Sequence, residues 1–365
     1  MTISRLATLR KMLRRRKLDA ILVTQPDNRF FLSGYTAPDH GIGESSGVLL
    51  IPRQGEPFLL TDSRFTLQAQ QEACDFQVEL YNRGLISLLN KLLPQLAIKR
   101  LAFESTYFLH SSFNKLEKCT QKLAIEIVPS TDLIEKSREI KSEEEIAALH
   151  LSTQLNEKVF QTIYSQIEPG ISELELSLEI ETTMRKLGAQ RPSFDTIVAF
   201  GDNSAKPHAM PTERRLQDGE IVLIDMGLIK DGYCSDMTRT FFMGQPDELY
   251  LQRHRVVRKA QLAGIATIRA GAVCRDVDTA ARKVIAEAGY KEAFAHSLGH
   301  GVGLAVHEEP RLSNRSRKKL RSGMVVTVEP GVYFQGWGGI RLENMVIVRD
   351  DGCELVNTDT THLDL

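Results

Sequence analysis

Cysteine is scarce and unpatterned: the 365 residues hold five, Cys74, Cys119, Cys234, Cys274 and Cys353, an odd number with no Cys-x-x-Cys pair. No disulfide framework or thiolate metal knuckle can be read from such spacing, and a reducing cytoplasm is the expected home. No apolar run is long enough to span a bilayer, and the N-terminus lacks the apolar core and small-residue cleavage site of a secretory signal. Neither membrane insertion nor secretion is expected. Neither sign of charge dominates, the net being −1 at pH 7, so there is no electrostatic footprint for nucleic acid or an anionic membrane. A phosphate-binding glycine loop is missing too: Gly41-Ile42-Gly43 has no strand before it and no helix after it. No short repeat suggests a solenoid.

What is present is the composition of an ordinary globular protein, 42% hydrophobic and 25% charged. The length exceeds one usual core and predicts two domains, 1–135 and 136–365. Met1 to Lys17 is Arg-rich and free of acids, as a transit peptide is, but Leu6, Leu9, Met12 and Leu13 recur at helical spacing and the strand Ala20-Ile21-Leu22-Val23 follows at once. It reads as a first helix with a solvated basic face. Strands near 20–24, 47–52, 57–61, 100–103 and 124–128 alternate with helices over 63–73 and 84–97, an α/β layer domain. After Lys141 the pattern changes. Ser142 to Glu145 and Ser172 to Glu175 are capping boxes opening helices that run to about Gln166 and to Gly188, the latter a natural C′ residue. Helices fit 247–270 and 276–288, with Asp276 as N-cap, and strands fit 194–200, 220–228, 234–242, 324–334 and 340–349. The second domain is therefore α+β.

Within it, Ile221 to Phe242 reads as a β-hairpin. Ile221-Val222-Leu223-Ile224 is a buried-strand run ending in Asp225, and Asp231-Gly232 is the dipeptide of a two-residue type I′ turn. That turn sets Lys230 opposite Tyr233, Asp225 opposite Thr238 and Asp236 opposite Gly227. The two aspartates then share a face as diagonal neighbours, roughly 7–8 Å apart at Cα. Carboxylates so placed can converge on two cations about 3.5–4 Å apart. A hydrated strand edge would carry the same two acids.

Three further residues strain the pattern. His300 lies in Leu298-Gly299-His300-Gly301-Val302-Gly303, Glu329 ends the apolar run Val326-Thr327-Val328, and Glu343 sits inside Ile340-Arg341-Leu342-Glu343-Asn344-Met345. Each alone has a plain reading: a loop histidine, a turn carboxylate, an edge acid paired with Arg341. Four carboxylates and one imidazole at strand ends and glycine-rich loops of one domain point instead to a single site.

In that order, and within the phrases Leu223-Ile224-Asp225-Met226-Gly227, Ser235-Asp236-Met237-Thr238-Arg239-Thr240, His307-Glu308-Glu309-Pro310 and Val328-Glu329-Pro330-Gly331, these residues resemble the five metal ligands of the M24 metallopeptidases of pita-bread fold. The similarity is to the Xaa-Pro branch, aminopeptidase P and prolidase, and covers nearly the whole chain, with residues 1 to about 135 resembling its creatinase-like N-terminal domain. The resemblance implies a peptidase that cleaves the Xaa-Pro bond by attack of a metal-bridging hydroxide. Asp225 would hold one ion, His300 and Glu329 the other, Asp236 and Glu343 both, with Glu329 shuttling the proton. It further implies substrate roles for His208, His296, His307, Tyr333 and Arg341, a proline-containing peptide as partner, and a homodimer. Oxygen donors with one imidazole and no thiolate suit two divalent ions of Mn, Co or Zn. Asn344 departs from the family, which frequently has aspartate there. A creatinase-like C–N hydrolase and a non-catalytic binding protein share the fold, but those relatives lack the full ligand set; methionine aminopeptidase shares the ligands without such an N-terminal domain.

Overall fold

The computed structural model describes residues 2–365, and the chain divides into two compact units, Met1–Arg138 and Glu139–Leu365. The first runs α1 (Thr2–Arg15), β1 (Ala20–Val23), α2 (Pro26–Ser33), β2 (Val48–Pro52), β3 (Phe58–Thr61), α3 (Thr66–Glu72), β4 (Gln77–Leu80), α4 (Leu85–Gln95), β5 (Arg100–Glu104), α5 (His110–Lys122), β6 (Glu126–Ser130) and α6 (Glu135–Arg138). Its strands form one sheet in the order β4-β3-β2-β1-β5-β6. Leu6, Leu9 and Leu13 are buried along α1, as their spacing predicts; Met1, the first residue of that expected helix, lies outside the described residues. The sequence reading missed α2, α5, α6 and β4. The β4 strand, Gln77–Leu80, is a short edge strand, exposed to half-buried throughout, in which only Val78 and Leu80 are apolar.

The second unit begins with α7 (Glu143–Tyr164) and α8 (Glu173–Lys186), both opened by capping boxes with both reciprocal hydrogen bonds present. It continues through β7 (Arg191–Pro192), β8 (Ile197–Phe200), β9 (Ile221–Met226), β10 (Leu228–Lys230), β11 (Tyr233–Cys234), β12 (Met237–Phe242), α9 (Glu248–Thr267) and α10 (Cys274–Glu287). It ends with β13 (Gly299–Gly301), β14 (Glu308–Leu312), β15 (Val325–Val328), β16 (Gly331–Phe334), β17 (Gly338–Arg341), β18 (Asn344–Val348) and β19 (Cys353–Leu355). The sheets are β11-β10-β7, β12-β9-β8, β14-β13-β15-β18-β19 and β16-β17. Among the described residues no helix is long and apolar enough to cross a membrane.

Two expectations change. Asp276 is not an N-cap: α10 starts at Cys274 with Val273 as cap. The free donors of this helix end are taken by backbone, with Cys274 N donating to Lys318 O and Arg275 N to Ser316 O, so no side-chain cap is required. The long strands expected over 220–228, 234–242, 324–334 and 340–349 are each interrupted, and Glu343 lies between β17 and β18 rather than within a strand.

Alternation along β8 and β9 decides which way Asp225 faces. Val198, Phe200, Val222 and Ile224 join a buried cluster with Val159, Phe160 and Ile163 of α7 and Leu176, Ile180 and Met184 of α8. Ile197, Ala199 and Leu223 fall in a separate small cluster with Ala209. Asp225, in step with Leu223 and paired with Ile197, therefore points away from the helices. Each buried Val, Ile or Phe contributes about 1.5–3 kcal/mol, enough in sum to hold a strand that ends in a carboxylate.

Candidate active site

The hairpin has the predicted register: Lys230 pairs with Tyr233, Ile229 with Cys234 and Thr238 with Asp225. Asp231 and Gly232 have φ of 51° and 84°, the two positive values a type I′ turn demands. Between β9–β12 and β10–β11 the ladder opens at Gly227 and Asp236. Ser193, just past β7, donates its N–H to Gly227 O at 3.0 Å and its hydroxyl to Ser235 O at 3.0 Å. A Cβ at Gly227 would collide with Ser235 O and Ser193 Oγ, so only glycine admits this wedge. Asp236, released from the ladder, is buried.

His300 sits on β13, flanked by Gly299 and Gly301, where a Cβ would strike Thr327 O and Glu309 O of the neighbouring segments. Its Nδ1 lies 3.1 Å from Gly301 O, which assigns that nitrogen the proton. The bare Nε2 then faces Asp236 Oδ2 at 3.6 Å and Glu329 Oε1 at 3.4 Å. Glu329 occupies the break between β15 and β16, and Thr327 Oγ1 donates to its Oε1 at 3.4 Å. Glu343 occupies the next break, where Thr238 Oγ1 donates to its Oε2 at 2.8 Å and Arg239 Nη1 to its carbonyl at 2.7 Å. Ligand atoms of Asp236, His300 and Glu343 all lie within 4.8 Å of one another.

Charge is unbalanced here. Burial, then the charges of Glu343 and Asp225, raise Asp236 well above the carboxylate range. Burial and Glu343 do the same to Glu329, and burial with Asp225 pushes Glu343 up to about 8. Burial, then His307, lowers His300 to about 4. One guanidinium answers them: Arg341 donates through Nη2 to Asp225 Oδ2 at 2.6 Å. Asp225 Oδ1 is buried with no hydrogen-bond partner. A neutral imidazole nitrogen facing two carboxylates, and an orphaned carboxylate oxygen, are acceptors lacking anything to accept. A divalent cation supplies what is missing, and the oxygen-rich set with one imidazole fits it.

Above this floor lies a cavity of about 440 Å³. Phe194, Ile197, Met210 and Pro211 give it an apolar wall, and His208, His307, Arg311 and Arg341 a polar one. His208 is exposed, whereas His307 packs edge-on against His300 with ring centroids 4.4 Å apart. His296 also lines the cavity, but both its nitrogens are engaged: Nδ1 lies 2.8 Å from Ser297 O and Nε2 3.0 Å from the Tyr333 hydroxyl. Tyr333 accepts from Arg341 Nη1 at 2.8 Å, so its own proton goes to His296. Arg311 and Phe194 were absent from the sequence reading. Arg311 immediately follows the His307-Glu308-Glu309-Pro310 phrase on β14, and proximity to that phrase was the available signal.

The profile of Metallopeptidase family M24 matches residues 147–350, and that of the Creatinase/Prolidase N-terminal domain residues 5–140. The chain belongs to metallopeptidase family M24. As an M24 metallopeptidase it is an enzyme that depends on divalent metal, built from a creatinase-type N-terminal domain and a pita-bread catalytic domain. It is 36% identical over 361 residues to the uncharacterized peptidase YqhT of Bacillus subtilis, covering 98% of each protein. Among solved structures it is similar to an Xaa-Pro dipeptidase from Bacillus anthracis, with a TM-score of 0.92, 36% identity and 98% of each chain covered. It is similar also to an X-Pro aminopeptidase from Thermotoga maritima, with a TM-score of 0.87, 35% identity, and 94% of this chain and 96% of that one covered.

Proposed function

We propose that this M24 enzyme hydrolyses the Xaa-Pro bond, with dipeptides as its preferred substrates. The observation that carries the reading is the convergence of Asp225, Asp236, His300, Glu329 and Glu343 beneath a cavity that also holds Arg311. Asp225 would hold one divalent ion, His300 and Glu329 a second, and Asp236 and Glu343 both; Mn, Co and Zn suit the donors. When bound, such ions lower the pKa of a water and polarise a carbonyl.

The chain's own groups do the rest. An Xaa-Pro bond has no N–H, and its leaving nitrogen is a secondary amine that must gain a proton as it departs. Glu329 takes the proton from the attacking water and returns it to that nitrogen. His208 and His307, on the polar wall, donate to the oxygen that becomes negative in the tetrahedral intermediate. His296 acts through Tyr333, fixing the hydroxyl that Arg341 also holds. Arg311 makes no ion pair with an acid among the described residues; a guanidinium free at a cavity wall suits a dipeptide's terminal carboxylate. The free state of all five cysteines supports work in the cytoplasm.

Rates on Xaa-Pro and Xaa-Pro-Xaa substrates test this, before and after metal removal confirmed by elemental analysis. The expected result is loss of activity on removal, recovery with Mn²⁺ or Co²⁺, and faster turnover of the dipeptide. Undiminished activity in protein verified to be metal-free overturns the metal mechanism, and equal rates on both substrates overturn the dipeptide preference. Arg311→Gln should raise KM for the dipeptide by about tenfold or more, since a charge-assisted hydrogen bond contributes roughly 1.5–3 kcal/mol, and leave KM for the longer peptide nearly unchanged.

A further inference from the structure

The segment 201–212 carries His208 and part of the apolar wall, and its second half is little buried. A short 3-10 turn covers Gly201–Ala205; beyond it, Lys206, His208 and Met210 are exposed and only Ala209 is buried. At its two ends sits one carboxylate, that of Glu173, with no exposure at all. It accepts from Phe200 N at 2.7 Å and from Asn203 Nδ2 at 3.0 and 2.9 Å on one side. On the other it accepts from Thr212 N at 2.9 Å and Thr212 Oγ1 at 2.6 Å.

Glu173 is the first residue of α8, where a negative charge is favourable. Capping does not account for it. Ser172 and Glu175 already form the capping box of that helix, and every side-chain partner of Glu173 lies in residues 200–212. A buried carboxylate with five hydrogen bonds to the two ends of one loop is a clasp. The loop's middle touches the reaction machinery independently: Arg341 Nη1 donates to Pro207 O at 3.1 Å and Gly339 N to Ser204 Oγ at 2.8 Å.

We propose that Glu173 is a positioning residue that closes the two ends of segment 201–212 and thereby sets His208 at the cavity. The inference rests on the peptidase reading of this cavity. Misplacement of a catalytic group by about 1 Å costs on the order of a hundredfold in rate, so a clasp at the loop's base is able to govern turnover without touching substrate. A residue that acts through His208 also loses its effect when His208 is gone.

The test is a double-mutant cycle in the metal-loaded enzyme. Glu173→Gln keeps the shape but replaces an acceptor by a donor that faces N–H groups. It should lower kcat/KM on an Xaa-Pro dipeptide by about tenfold to a hundredfold, mainly through kcat, and by less than about twofold in the His208→Ala background. Metal content should not change, and hydrogen exchange of peptides spanning 200–212 should quicken. Equal losses in both backgrounds, or no loss in either, overturn the proposal. Should Glu173→Gln not fold, Asn203→Ala removes one tether, together with the contact of Asn203 Oδ1 to Lys206 Nζ, with a loss of about threefold to tenfold expected and the same dependence on His208. A wild-type protein that leaves Xaa-Pro dipeptides uncleaved defeats the peptidase reading, and hydrogen exchange still decides the clasp: unchanged protection of 200–212 in the variant overturns it.

Discussion

Arg341 has the most commitments of any side chain near the floor. It is buried, and it donates to Asp225 Oδ2, the Tyr333 hydroxyl, Pro207 O and Thr238 Oγ1. Burial works against its charge, but Tyr333, Asp225 and Glu329 outweigh that and hold it firmly protonated. A lysine could not reproduce four partners in a planar fork. Removing one member of a buried pair leaves the other charged and unanswered, which costs about 3–5 kcal/mol. Arg341→Met should therefore lower the unfolding free energy of the metal-free protein by that amount, measured in urea by linear extrapolation; a loss under about 1 kcal/mol would show that Asp225 does not depend on it. The four acids and one imidazole of the floor were legible in the sequence because each is out of place in an apolar strand or a glycine-rich loop. Arg311 and Glu173 were not, since an exposed arginine and a helix-start glutamate look ordinary until the fold shows what surrounds them.

Elements were legible where local rules decide them. The type I′ turn, the register from Lys230 to Thr238 and both capping boxes follow from residues within a few positions of one another. The start of α10 was not legible, because Cys274 and Arg275 donate to Lys318 O and Ser316 O some forty residues later in the chain, and nor were the strand breaks, such as the one where Gly227 yields to Ser193, just past β7. These breaks release Asp236, Glu329 and Glu343 from their ladders. Side-chain direction in a strand alternates, so one added residue turns everything beyond it to the other face. Inserting a glycine between Asp231 and Gly232 should unpair Ser235 from Leu228, rotate Asp236 off the floor and cut the bound metal per chain, as read by elemental analysis. The same insertion between Asp350 and Asp351, exposed in the turn from β18 to β19, should leave metal content unchanged. Equal metal content in both insertions would separate the hairpin register from the site.

For the molecule as a whole, stability in acid is a linkage property, and one buried group outside the lining of the cavity should dominate a measurable part of it. His254 on α9 is fully buried; its Nε2 lies 2.9 Å from His362 O, and its Nδ1 has no partner. Burial lowers its pKa to about 4, against which the His362 carbonyl works only partly. Its unfolded value is about 6.5. Between those values the unfolded chain binds a proton that the folded chain refuses, so stability rises with pH across the window and is lost as pH falls from about 6.5 toward 4. A shift of this size amounts to about 3 kcal/mol over the whole window, of which about 2 kcal/mol falls between pH 7 and pH 5. His254→Gln keeps a donor for His362 O and carries no titrating group. Loss of metal in acid, which follows when His300 and the carboxylates of the floor take up protons, affects wild type and variant alike and cancels in the comparison. Urea unfolding at pH 7 and pH 5 should therefore show the wild type losing about 2 kcal/mol more than the variant, and parallel losses would mean that His254 titrates normally in the folded protein.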